Sequence, residues 1–206
     1  MKQPDFCHLH LHSSYSLLDS TIKIKDAVNE AKQLGMRHIS ITDHAVLFGA
    51  IEFYKAAKSA DIKPIIGCDT YVARYGIEER SSQRNNMSLV LLAENQKGYE
   101  NLVKLISRAH LEGLYYKPRV DKKLLSMYSE GLIALSGDLR GEVNEACSIG
   151  DLEKAEELAL EYLDIFGENN FYLELTYHGL PNIKDMEASD EKWFEIANKQ
   201  KSTNDN

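Results

Sequence analysis

The segment "FCHLHLHSSYSLLD", Phe6 to Asp19, carries histidines at positions 8, 10 and 12 and then a carboxylate. In an extended strand successive side chains alternate faces, so His8, His10 and His12 would share one face and Cys7, Leu9 and Leu11 the other. Imidazole nitrogens mixed with carboxylate oxygens suit zinc, manganese or iron, and favour an open catalytic site over a closed structural one. Ions so held clamp a phosphate, make hydroxide available near neutral pH and stabilise a leaving oxygen, so phosphoester hydrolysis is the chemistry implied. For one HxH motif alone, a hydrogen-bonded polar strand face is an equal alternative.

Other ionisable residues recur at the ends of predicted strands. Asp43 and His44 close "RHISITDH", Asp69 lies near the end of "KPIIGCDTYVA", Asp138 closes "GLIALSGD" and His178 lies near the end of "NFYLELTYHG". In parallel α/β folds the loops beyond the strand C-termini bring such side chains together. "YYKPRVD" sets Lys117 and Arg119 beside two tyrosines on a predicted loop, either to hold a phosphate or stack a base, or as ordinary surface. His38 and His110 fall inside predicted elements and read as structural. Ser13 and Ser16 lack the oriented base and acid of a nucleophile triad, and Cys147 reads as core.

Elements that could position these residues are legible in the periodicity. Ile24, Ala27, Val28, Ala31 and Leu34 follow a helical period ended by Gly35. A strand, a helix at "GAIEFYKAAKSADI" and a strand at "KPIIGCDTYVA" follow. Further on come a strand "SLVLLAE", a helix "GYENLVKLISRAHLEG", the strand "GLIALSGD", the helix "DLEKAEELALEYLDIFG" and the strand "NFYLELTYHG". Gly76 to Asn86 is polar and aperiodic and reads as a loop. This alternation predicts an α/β fold with a mostly parallel sheet, open or closed as a barrel.

At 206 residues, 43% apolar and 27% charged, the chain fits one globular domain. No apolar run approaches bilayer length and no secretory leader is visible, so we expect a soluble, cytoplasmic protein with no membrane partner. Three scattered cysteines fit a reducing compartment. The net charge of −8 argues against broad adhesion to DNA and leaves nucleic acid to a local site or another domain.

Taken in order, "HLHLHSSYSLLD", "ITDHAVLFGAIEFYKAAKSADIKPIIGCDTYVA", "LVLLAENQKGYENLVKL", "LEGLYYKPRVDKKLL", "EGLIALSGDLRGE" and "FYLELTYHGLP" resemble the PHP (polymerase and histidinol phosphatase) domain of bacterial DNA polymerase III alpha subunits, from about Phe6 to Pro181. The resemblance implies a distorted (β/α)7-type barrel, incomplete here at its C-terminus. Residues 1–198 would form the PHP domain and 199–206 a tail or truncated final motif. It further implies one to three zinc or manganese ions held by His10, His12, Asp19, His44 and Asp69, with Asp138 and Asp205 at positions of later ligands. Asp43, His44 and Arg119 would serve catalysis. The family pattern departs here at Asp69 for glutamate, Ser88 for histidine, Asp138 for cysteine, and at "STNDN", which lacks the final histidine.

Two functions stay open at this point. One is a metal-dependent phosphoesterase, a 3′–5′ exonuclease on a DNA 3′ end. The other is a degenerate PHP module that stabilises a replicative polymerase and binds replisome proteins, such as the polymerase core or a separate proofreading exonuclease.

Overall fold

The computed structural model describes residues 6–80 and 86–176. Helices α1 (Ile24–Gln33), α2 (Ala50–Ser59), α3 (Gln96–Leu111), α4 (Lys122–Tyr128), α5 (Glu142–Ser148) and α6 (Leu152–Phe166) alternate irregularly with strands β1 (His38–Ile41), β2 (Lys63–Ala73), β3 (Asn86–Ala93), β4 (Arg119–Val120), β5 (Leu132–Leu135) and β6 (Phe171–Tyr172). The sheet runs β1-β2-β3-β5-β6, with β4 paired to β2.

The helices end where the sequence says they should. Gly35 takes a positive φ of 74°. Its amide donates to the Lys32 carbonyl and that of Met36 to Ala31, satisfying carbonyls that α1 leaves open. Asn95, Asp121 and Asp151 cap α3, α4 and α6 through their side chains. One core packs Val28, Ile39, Phe53 and Ala57 beneath α1 and α2. A larger one on the other side of β2 gathers Leu89, Leu91, Leu102, Leu105, Leu125 and Leu132, each at most 1% exposed. Fully burying such a leucine is worth about 1.5–3 kcal/mol.

Three sequence expectations need correction. The sheet is mixed: β1 and β2 are parallel, as are β2 and β4 and β5 and β6, but β3 runs antiparallel to both β2 and β5. Apolar content marks β3 as buried but carries no direction, so the hydrogen-bond register had to decide it. Among the described residues the sheet does not close, so the (β/α)7 barrel reduces to an open α/β sheet of six strands. Third, "FCHLHLH" is not a strand. It lies along β1 but bends at Leu9 and His10. Its links are Ser40 N–H to the His8 carbonyl, Thr42 N–H to the Leu11 carbonyl, and Leu11 N–H to the Thr42 hydroxyl. A threonine side chain thus replaces part of the ladder.

The apolar patterns missed β4, α4 and α5, which are two and seven residues long, too short for a period to show. Among the described residues of "NFYLELTYHG" only Phe171–Tyr172 is strand, and Leu173 to Thr176 continue without it. His178, Asp205 and the 199–206 segment lie outside the described residues. No described helix is long and apolar enough to cross a membrane.

Candidate metal centre

The centre is built where β1 and β2 run on side by side. Their parallel register, Ile41 opposite Ile66, continues past the end of β1 as a bridge between His44 and Asp69. Asp69 N–H donates to the Asp43 carbonyl and Ala45 N–H to that of Asp69. Ala45 adopts φ 51°, and Leu18, just before Asp19, φ 71°. Left-handed backbone at non-glycine residues is costly and concentrates at functional sites. His110 on α3 bonds the Ala45 carbonyl at 2.8 Å and steadies this corner.

Asp43 faces the N-terminal segment. Its buried carboxylate accepts Ser13 N–H at 2.7 Å, the Ser13 hydroxyl at 2.8 Å and the Ser16 hydroxyl at 2.7 Å. Ser16 also contacts His12 Nδ1 at 2.9 Å and accepts from His44 N–H at 3.1 Å. Asp43 therefore ties the loop bearing His12 to the strand end bearing His44. Its oxygens are engaged with serines rather than aimed at the imidazoles.

Around Asp69, 0% exposed, three histidines converge. From Asp69 Oδ2, His44 Nδ1 is 3.0 Å away, His10 Nε2 3.5 Å and His12 Nε2 3.6 Å. His10 Nε2 and His12 Nε2 are themselves 3.0 Å apart. Yet among the described residues neither Asp69 Oδ2 nor His44 Nδ1 makes an aligned hydrogen bond. A buried carboxylate oxygen without one is expensive. The other oxygen, Oδ1, accepts the Ser88 hydroxyl at 2.6 Å.

Electrostatics separate the two histidines of the HxH motif. Burial opposes charge on His10, but Asp69 and Glu174 outweigh it and raise its pKa to about 10. Burial and repulsion from His44 push His12 down to about 4. Burial alone would raise the Asp69 carboxyl, but His10, His44 and Ser88 hold it well below the usual carboxylate range. At neutral pH a charged His10 thus donates to a neutral His12. A divalent cation fits the place of that proton, because His10, His12 and Asp69 offer ligand atoms all within 4.8 Å of one another.

Other sequence candidates fall at different distances from this cluster. Asp19 joins its rim, 52% exposed, with Oδ2 3.3 Å from His44 Nε2. His8 is exposed and packs edge-on against Phe6. Asp138 turns onto its own loop, accepting Arg140 N–H at 2.9 Å. Arg119 is 1% exposed, and its guanidinium donates to the carbonyls of Gly113, Ile77 and Glu79. That arrangement holds a loop and leaves no free edge for a phosphate.

One participant escaped the sequence reading. Glu174, after β6, holds His10 Nδ1 at 2.7 Å, and its own N–H is fixed by the Ser136 hydroxyl at 2.9 Å. Carboxylates that orient a ligating histidine in this way fix its tautomer and raise its basicity. An acid at the end of "FYLEL" was the available signal.

Residues 8–178 match the family model for the PHP domain. The chain belongs to the PHP domain family. Among curated relatives, this PHP domain is 47% identical over 190 residues to the DNA polymerase III subunit alpha of Borreliella burgdorferi, covering 91% of the chain and 16% of that protein. The subunit of Aquifex aeolicus is 44% identical over 203 residues, 95% of the chain and 17% of that protein. That of Helicobacter pylori is 45% identical over 202 residues, 93% and 16%. The chain thus spans about a sixth of the length of these relatives. In solved structures, a Bifidobacterium adolescentis protein provisionally described as a metal-dependent phosphoesterase aligns with TM-score 0.53 at 12% identity, covering 95% of this chain and 84% of that one. That likeness supports the fold alone.

Proposed function

We propose that this PHP domain is a metal-dependent phosphoesterase acting on the phosphodiester at a DNA 3′ end, in the setting of a replicative polymerase. The observation that carries the reading is the buried Asp69 Oδ2, without an aligned hydrogen bond, facing three imidazole nitrogens at 3.0–3.6 Å. His10, His12 and Asp69 would hold zinc or manganese, with His44 and Asp19 beside them. When bound, such a cation polarises a phosphoester oxygen and supplies hydroxide near neutral pH. The chain's own part is orientation. Glu174 fixes His10, Asp43 and Ser16 fix His12, and Asp19 at the mouth is placed to exchange a proton between His44 and solvent. The polymerase setting, with the remaining polymerase chain and a separate proofreading exonuclease as partners, rests on the names of the curated relatives.

A second reading, a degenerate module that acts as a binding platform, is favoured by Ser88, whose hydroxyl occupies Asp69 Oδ1, and by Asp138, which bonds within its own loop. Elemental mass spectrometry of the purified protein separates the two. Metal near or above one ion per chain, lost in a His10→Ala, His12→Ala double variant, supports the site and leads to exonuclease assays on 3′-labelled single-stranded DNA. Metal at background in both proteins overturns the phosphoesterase reading.

A further inference from the structure

Several cations among the described residues have partners. Arg74 pairs with Glu145, Lys122 with Glu142 and Glu161, Arg108 with Glu112, and Arg119 with three carbonyls. Lys117 differs. It is exposed, pairs with no carboxylate among the described residues, and holds its Nζ over the Tyr71 ring, 5.3 Å from the centroid. Tyr71 in turn stacks on His44, 5.6 Å between centroids and 18° between planes. Because Tyr71 lies two residues beyond Asp69 on β2, both project from the same face of the strand.

A second cation is carried by the loop that bonds to the residue opposite this tyrosine. Tyr71 pairs with Ser88 across β2 and β3, and Ser88 N–H donates to the Arg140 carbonyl. The Arg140 guanidinium is exposed, and its ion pair is a single 3.5 Å contact with Asp138. Its charge is felt at both Asp69 and Tyr71. In a chain of net charge −8, Lys117 lies over a ring that packs on the metal centre, and Arg140, with one weak partner, stands on the loop bonded to that ring's cross-strand neighbour. A monophosphate ester seated at the metal has no phosphate to give them.

We propose that Lys117, over Tyr71, and Arg140, on the adjoining loop, form a subsite for a second phosphate group, that of the nucleotide next to the one at the metal centre. This rests on the phosphoesterase reading and adds to it a second point of contact along the strand. Together the two cations neutralise that phosphate and release its counterion, while the Tyr71 ring fixes where Lys117 reaches.

The test is fluorescence anisotropy of a labelled ten-nucleotide oligothymidylate with the 206-residue chain in EDTA, over a range of salt, so that binding is read without turnover. K117Q and R140Q are compared with K58Q, a control in which an exposed lysine likewise lies over a tyrosine, 5.9 Å from the Tyr54 centroid. Each of the first two should weaken binding about fivefold and flatten the salt dependence, the double variant lowering the slope by roughly 0.7, with K58Q unchanged. Thymidine monophosphate should compete poorly. Affinity unaltered by K117Q and R140Q, an equal loss in K58Q, or competition by the monophosphate at the strand's own concentration overturns the subsite. Because metal content is measured on the protein as purified, background metal there with strand binding intact would sink the phosphoesterase reading, and bound metal there without strand binding would sink this one.

Discussion

Replacing Glu174 by glutamine tests the centre most sharply, because it changes one charge behind a ligand without touching the ligand. Glu174 acts on His10 in two opposed ways. Through the 2.7 Å bond it orients the ring and makes Nε2 more basic, which strengthens metal binding. By helping to raise the His10 pKa to about 10, it also makes the proton a stronger competitor for Nε2. Between about pH 7 and 9 one proton must leave per ion bound, so the apparent affinity of the native protein should rise about tenfold per pH unit, or about 1.4 kcal/mol. Glu174→Gln keeps a neutral acceptor but removes the charge, so His10 titrates lower and the slope flattens within that window. At the alkaline end only orientation and basicity differ, and the variant should bind about 10–100-fold more weakly. Near pH 7 the gap should narrow. Competition of zinc or manganese against a chromophoric chelator at several pH values reads both quantities. A native affinity flat with pH, or a variant superimposable on it throughout, would refute this account of His10.

Stability should peak near pH 6.5 in metal-free buffer. His10 has its folded pKa raised, so its contribution is complete below about 6.5 and is lost as pH rises towards 10. His12 has its folded pKa lowered to about 4, so below 6.5 the unfolded chain takes up a proton the fold refuses, and stability falls towards pH 4. The depressed Asp69 carboxyl adds a further loss below about pH 4. Urea midpoints across that range check this, and a His12→Ala variant that keeps the full acid limb would count against it. Asp43→Asn sets a donor against the Ser13 and Ser16 donors and should cost about 2–4 kcal/mol in urea unfolding, along with weaker metal binding through the freed His12. Arg119→Lys cannot reach all three carbonyls and should lower stability by about 1–3 kcal/mol while leaving metal affinity unchanged; a selective loss of metal or activity would instead restore Arg119 to the site.

The sequence by itself determined the helices α1, α2, α3 and α6, because each buries a face at helical spacing and, α2 excepted, ends on a glycine or begins on a side-chain cap. It also supplied His10, His12, Asp19, His44 and Asp69, since alternating histidines and acids at strand ends are local patterns. Only the tertiary structure could decide how those residues divide their work. Asp43 and Asp69 look alike in sequence, yet one meets serine donors and the other three imidazoles, a difference set by which neighbours the β1-β2 register brings to each. Lys117 and Arg119 stand two residues apart in one motif. The pairing of β4 with β2 buries Arg119 against backbone carbonyls and leaves Lys117 over Tyr71. Glu174 reaches His10 from 164 residues away. Contacts of that kind depend on chain closure over long separations, which no local pattern of residues records.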